Sequence, residues 1–317
     1  MDLDSYFKEN KSDVEDLLDV PEGFKSGFVT FVGRPNSGKS TLLNALVGKK
    51  VAITSKVANT TRHRFSGVIN RVDCQIIIVD TPGIHKPRDV MGEELNLAAY
   101  QALQDSDVVC FLVDSTRPFG RGDAWVLEEV KKSSAHKFCL LTKTDIATDE
   151  QILLQIKHLS ETFDFEEIVP ISAFDKTNID LLIDLIKDRI PEGHRWFSSD
   201  ETSDVDDYVY AAEVVREQIL HDLKEELPHS IGVVTDDIYE SSNGKTLNIY
   251  STIYVERDSQ IGIVVGKAGS QLKRIGKNAR IELESYFDKN INLQLSVKLK
   301  KNWRRDDNAI RKFGYCQ

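Results

Sequence analysis

The chain has 317 residues, 40% of them hydrophobic and 29% charged, with a formal net charge of −10. That length exceeds one ordinary core and predicts two domains in a soluble globular protein. No apolar run approaches the length needed to cross a bilayer; Gln75–Val79 and Val108–Val113 are typical. Residues 1–24 are acidic and polar, which excludes a signal peptide and predicts a mobile extension. The four cysteines form no C-x-x-C pair, so disulfides and zinc are unsupported and a reducing cytosol is expected.

From Gly27 onward, short apolar runs alternate with helical patterns. Gly27–Val32, Gln75–Val79, Val108–Val113, Lys137–Leu141 and Glu167–Ile171 read as strands. Helices are expected from Lys39 and over 92–104, 122–131, 150–162 and 177–189. This alternation predicts an α/β domain over 25–191, with a mostly parallel sheet that binds ligands at its carboxyl ends. Residues 192–206, rich in Ser, Asp and Glu, read as an acidic linker. A smaller α+β domain is expected over 207–317. It begins with a helix from Tyr208 that stops before Pro228, then strands at 231–239 and 247–255 joined by a Ser241–Gly244 turn. A helical region broken by Gly266–Gly269 and a strand at 291–300 complete it.

Three motifs follow predicted strands. Gly33-Arg34-Pro35-Asn36-Ser37-Gly38-Lys39-Ser40 fits G-x-x-x-x-G-K-S/T. Its glycines let backbone N–H groups turn toward phosphates, and the following helix adds a partial positive charge. Lys39 is placed for the β- and γ-phosphates, Ser40 for Mg2+ and Thr41 for the α-phosphate. Asp80-Thr81-Pro82-Gly83 supplies a second magnesium contact and a glycine whose N–H can approach the γ-phosphate. Thr61, preferred to Thr60, is placed to complete the magnesium shell and so act as a switch. Thr142-Lys143-Thr144-Asp145 has the form of N-K-x-D. A carboxylate at Asp145 accepts the N1–H and 2-amino protons of guanine, donors that adenine lacks. Ser172-Ala173 matches the supporting motif for the guanine oxygen. Together these residues imply GTP/GDP with Mg2+.

Two departures bear on the chemistry. Thr142 stands where asparagine is usual, so a base-holding amide that also ties this loop to the phosphate loop is missing, and weaker nucleotide binding is expected. Ile84 follows Gly83 and cannot orient water, so hydrolysis should be slow without a partner or a monovalent cation. The catalytic residue is open, with Asn36, Lys39 and Thr61 as candidates and Asn36 the one suited to hold such a cation.

Residues 245–317 contain 15 Lys+Arg against 7 Asp+Glu, a balance of +8, whereas residues 1–244 carry −18. A solvated face is one reading of that end. The G-x-x-G stretch Gly266-Lys267-Ala268-Gly269, followed by Lys273 and Arg274, favours RNA binding instead. Trp303-Arg304-Arg305 either stacks on RNA or packs the tail.

Taken together, G-R-P-N-S-G-K-S-T-L-L-N, T-T-R-H-R, D-T-P-G-I-H-K-P, I-S-A, P-H-S-I, Y-V-E-R-D-S-Q-I-G-I-V-V-G-K-A-G and N-W-R-R-D-D resemble the Era family of bacterial ribosome-assembly GTPases over residues 25–317. The resemblance implies a P-loop GTPase domain, then a type II KH domain. It also implies binding of the 3′ end of 16S rRNA, a role in 30S subunit maturation, and a cytoplasmic protein with peripheral inner-membrane association. A monomer is expected, and DNA is not expected as a partner. An RNA chaperone that uses GTP as a structural ligand, a tRNA-modifying GTPase and an ATPase stay open as alternatives.

Overall fold

The computed structural model describes residues 17–55, 62–63, 65–84, 89–223, 230–242 and 244–315. Six strands form the first sheet: β1 (Lys25–Gly33), β2 (Phe65–Asn70), β3 (Cys74–Asp80), β4 (Val108–Asp114), β5 (His136–Thr142) and β6 (Glu167–Pro170), in the order β2-β3-β1-β4-β5-β6. All pairs are parallel except β2–β3. β1, β3 and β4 are buried along nearly their whole lengths, which is why they read as continuous β-branched and apolar runs. The helices α1 (Lys39–Val47), α2 (Val90–Gln104), α3 (Arg121–Lys132), α4 (Asp149–Thr162) and α5 (Ile179–Arg189) follow the expected alternation.

β2 has no counterpart among the expected strands. Ser66 and Gly67 interrupt its apolar pattern, and Gly67 is needed because a Cβ there would lie 2.5 Å from Leu43 Cδ1. β2 lies at the sheet edge, and its outer side is covered by the segment read as a linker. Val68 N–H donates to the Thr202 carbonyl (2.9 Å), Ser66 N–H to Asp204 Oδ1 (2.5 Å) and Asn70 Nδ2 to the Glu201 carbonyl (2.7 Å). Gln75 accepts from Trp196 N–H and donates to the Phe197 carbonyl. The acidic stretch is thus a strap on an open strand edge. Of the residues expected to form a mobile extension, 17–24 are described. Phe24 is buried, and Arg195 holds the backbone of Leu17 and Asp19 through its own N–H and its guanidinium. Residues 1–16 lie outside the described residues. Cys74, Cys110 and Cys139 are buried, and burial raises each thiol, that of Cys74 to about 11.

The second unit contains α6 (Asp207–Asp222), β7 (Gly232–Glu240), β8 (Thr246–Val255), α7 (Asp258–Val265), α8 (Ser270–Phe287), β9 (Asn290–Leu299) and α9 (Asp307–Lys312). Its sheet runs β7-β8-β9, antiparallel and then parallel, the arrangement expected of a type II KH domain. Ile249, Ile253 and Val255 meet Val214, Val215, Ile275 and Leu283 in its core. This unit also takes in Ile53–Arg64 and Lys86–Ala98, which the expected boundary at residue 207 leaves out. The reason is a second, smaller core: Met91 and Leu95 pack with Trp303, Ile310, Phe313 and Tyr315. Trp303 is fully buried, with its indole N–H on the Ser230 carbonyl (2.9 Å), so it packs the tail and does not stack on RNA.

Arg62 is buried beside Trp303 and Tyr315 and donates to the Ile231 carbonyl at 2.6 Å. Nearby, Arg216 binds Glu213 through two nitrogens, at 2.7 and 2.5 Å, and His63 Nε2 is 3.6 Å from Glu213 Oε1. Burial alone would raise the Glu213 pKa, but Arg216 outweighs it and holds the carboxyl below its usual range. Burial lowers the His63 pKa despite Glu213. Two outcomes are expected. Glu213→Gln removes the carboxylate that binds buried Arg216 through two nitrogens, with Glu217 still favouring its charge, and should cost about 3 kcal/mol in urea unfolding. Folded His63 resists the proton that the unfolded chain takes up near pH 6.5, so stability should fall as pH drops below about 6.5. In His63→Phe the change in urea midpoint between pH 7.5 and 5.5 should be shallower.

Candidate nucleotide and nucleic acid sites

The register Phe31↔Asp80 and the β1–α1 turn bring the first two motifs together. Gly38 opens α1 at φ +95°, a conformation that L side chains rarely adopt. Lys39 is only 7% exposed, with its Nζ 3.5 Å from the Arg34 carbonyl. Burial lowers the Lys39 pKa, and Asp80 opposes that shift. Ser40 Oγ lies 3.2 Å from Asp80 Oδ2. Adjacent ligands of an octahedral Mg2+ lie about 2.9 Å apart, and hard oxygen donors are what this ion takes, so Ser40 and Asp80 fit it. Gly83 runs close to the phosphate loop: a Cβ there would meet Pro35 N at 3.0 Å.

Other expected residues have different work for their side chains. Arg34 pairs with Asp123 at 3.1 Å, so its guanidinium serves the start of α3. The Thr81 hydroxyl donates to the Phe31 carbonyl (3.0 Å), and Pro82 is buried. Ile84 is buried with Val32, Leu103 and Phe111 and has no reach to a water. Ser37 is buried, whereas Thr41 is exposed. Asn36 takes a left-handed conformation (φ 67°), and its carbonyl accepts from Lys143. Thr61 lies outside the described residues.

At the base-reading end, Thr142 behaves differently from expectation. Its hydroxyl donates to the Ser37 carbonyl at 2.7 Å, with the Val113 carbonyl at 3.2 Å. The tie to the phosphate loop attributed to the missing asparagine is therefore kept by a hydroxyl. Lys143 Nζ bridges the Asn36 carbonyl (2.8 Å) and Asp114 Oδ2 (2.6 Å). Asp114, at the end of β4, was not legible as a site residue, because a lone acid after a strand has no motif. Burial would raise its pKa, but Lys143 and Thr116 hold it below its usual range. Asp145 is exposed, and buried Ser172 donates to its Oδ1 at 2.8 Å. Thr144 N–H points at the Ile171 carbonyl (3.5 Å), and Ala173 follows at the loop surface.

In the second unit, Gly266 (φ 73°, ψ 173°) and Gly269 (φ 78°) bracket a tight turn carrying Lys267 and Ala268. Beside it lies a groove of about 550 Å³. Leu272, Leu293 and Leu295 line its floor, while Lys273, Lys277 and Arg280 supply positive charge. Gly276 also lines it, and a Cβ there would stand in ordinary contact with Leu295 at 3.4 Å. Arg274, expected with Lys273, instead pairs with Asp222 at 2.9 Å and is not part of the lining.

Thr142→Val keeps the shape of the side chain but leaves the Ser37 carbonyl without its donor. GDP affinity should fall about fivefold, matching a net hydrogen bond of roughly 1 kcal/mol, with the preference for GDP over ADP retained. Calorimetric titration with both nucleotides measures this.

The 50S ribosome-binding GTPase family model matches residues 28–143, and the KH domain model matches residues 226–304. The chain is similar to Era solved in complex with MgGDPNP and nucleotides 1506–1542 of 16S ribosomal RNA. Identity is 38% and the TM-score 0.89, over 92% of this chain and 99% of that one. It is also similar to a variant of Aquifex aeolicus Era bound to GDP and AlF4−, at 39% identity and a TM-score of 0.88 over the same shares. The chain belongs to the Era family of GTPases, a GTP-hydrolysing domain followed by a KH domain.

Proposed function

We propose that this protein is a GTP-dependent switch that binds the 3′ end of 16S rRNA and assists 30S subunit maturation in the cytoplasm. Peripheral membrane association is a further property that the family resemblance implies. The roles proposed for individual residues follow their geometry. Lys39 would neutralise the phosphates, Ser40 and Asp80 would hold Mg2+, and the Gly83 N–H would meet the γ-phosphate, while Thr61 is added to the magnesium shell from its place in the sequence alone. Asp145, steadied by Ser172, reads the guanine edge, while Lys143 and Thr142 fix that loop to the phosphate loop. Bound Mg2+ would supply charge neutralisation between the β- and γ-phosphates.

The groove beside Gly266–Gly269 carries the RNA half of the reading. An apolar floor accepts unstacked bases, and the lysines and arginine beside it meet phosphates. A chaperone with GTP as a mere structural ligand is not favoured, because its relatives are solved with a GTP analogue and with GDP·AlF4−.

The Lys267→Asp/Ala268→Asp double variant tests the groove in the full chain. Ala268 sits at φ 51°, and aspartate enters that region more readily than most residues, so the turn should survive. Affinity for an RNA ending in the 16S 3′ sequence should fall at least tenfold, with GTP turnover in the absence of RNA unchanged. Crosslinking with a non-hydrolysable GTP analogue, followed by sequencing, should enrich 16S rRNA; no enrichment would defeat the ribosomal assignment. For Asn36, the expected result is faster turnover in potassium than in sodium, and equal rates would remove its proposed cation role.

A further inference from the structure

Phe174 is 87% exposed, more than any other large apolar side chain among the described residues. An exposed apolar residue on a pliable loop would carry little meaning. This loop is tightly cross-bonded. The Ser172 hydroxyl accepts the N–H groups of Phe174 (3.2 Å) and Asp175 (3.3 Å). Asp175 Oδ1 then accepts the Thr177 N–H and hydroxyl, at 3.0 and 2.7 Å, and Asn178 Nδ2 donates to the Pro170 carbonyl at 2.7 Å. The same Ser172 hydroxyl donates to Asp145 Oδ1. One buried oxygen therefore fixes both the base-reading carboxylate and the backbone that carries the exposed ring.

Guanine has a polar edge and apolar faces. Asp145 answers the edge, and the Lys143 stem can cover apolar surface. Nothing in the motifs supplies an aromatic partner, and Thr142 removes an amide that usually helps hold the base. We infer that Phe174 is a base-contacting residue, an aromatic platform at the guanine site that offsets the missing asparagine. Its ring gains burial and stacking only when a purine is bound, which accounts for its exposure in a rigid turn. The inference rests on reading Asp145 as the guanine-reading group.

The test uses the full chain with GDP, IDP and ADP, and the variants Phe174→Ala and Phe174→Trp. Phe174→Ala should speed GDP release roughly tenfold. IDP, which lacks only the 2-amino group, should weaken by the same factor, because stacking is indifferent to that group. Phe174→Trp should restore slow release. The thermal midpoint should not move, since an exposed ring supports no core. A release rate within twofold of the parent would overturn the inference. So would a loss confined to GDP, which would mean that the residue acts through Asp145. A fallen thermal midpoint would make Phe174 structural and likewise overturn it. If the parent chain shows no preference for GDP over ADP, the reading of Asp145 fails, and that result is separate from any effect of Phe174.

Discussion

A lysine taken out of water is tolerable only where negative charge stands ready to meet it. Lys39 is in that position: burial works against its charged form, and Asp80 works for it. The strand order makes the arrangement possible. β1 and β3 are parallel neighbours, so the turn after β1 and the end of β3 come out at the same edge of the sheet. The Ser40–Asp80 contact follows from that adjacency. A polyphosphate with its metal then completes a charge balance that the protein alone leaves in tension.

Much of this was legible because each motif is local and follows a buried strand. The phosphate loop, the Asp80 turn and the Asp145 loop need only a strand–turn pattern to be placed. What escaped depends on distant partners. β2 pairs along its length with β3, and Asp204 and Thr202, well over a hundred residues away, complete the hydrogen bonds of its outer edge. Its own alternation is broken by Ser66 and Gly67. Trp303 could be read two ways until Ser230 and Phe313 enclosed it. Arg274 looked equivalent to Lys273 on a basic helix, and only Asp222 on another helix separates them. Asp114 became a site residue through Lys143, which comes from the next strand's loop.

The threonine in the base-reading motif shows where family pattern and physics part company. Judged by residue type, an amide is lost. In the structure the hydrogen bond to the phosphate loop is present, supplied by a side chain one atom shorter on a backbone that approaches closely. The cost that remains concerns the base itself, because a hydroxyl already committed to a carbonyl has no second proton to donate. On the roles proposed above, affinity for the base then falls to Asp145, the Lys143 stem and the apolar surface that the neighbouring loop presents.

The second unit has a smaller core beside its main one. It joins the C-terminal aromatics to Met91 and Leu95, and Arg62 is buried at its side. These residues come from stretches of chain that leave the phosphate loop's helix and the Asp80 turn. Met91 and Leu95, on the helix that follows the Asp80 turn in the chain, are thus packed in an interior of the second unit. Packed interiors favour discrete arrangements over gradual deformation. Arg304 adds to this core by bridging Glu256 and Asp89. Asp89 stands just before α2, and Glu256 at the end of β8 leads into α7 and the G-x-x-G turn. The residues that order the tail are thus bonded on one side to the chain following the nucleotide motif and on the other to the chain entering the RNA-binding module.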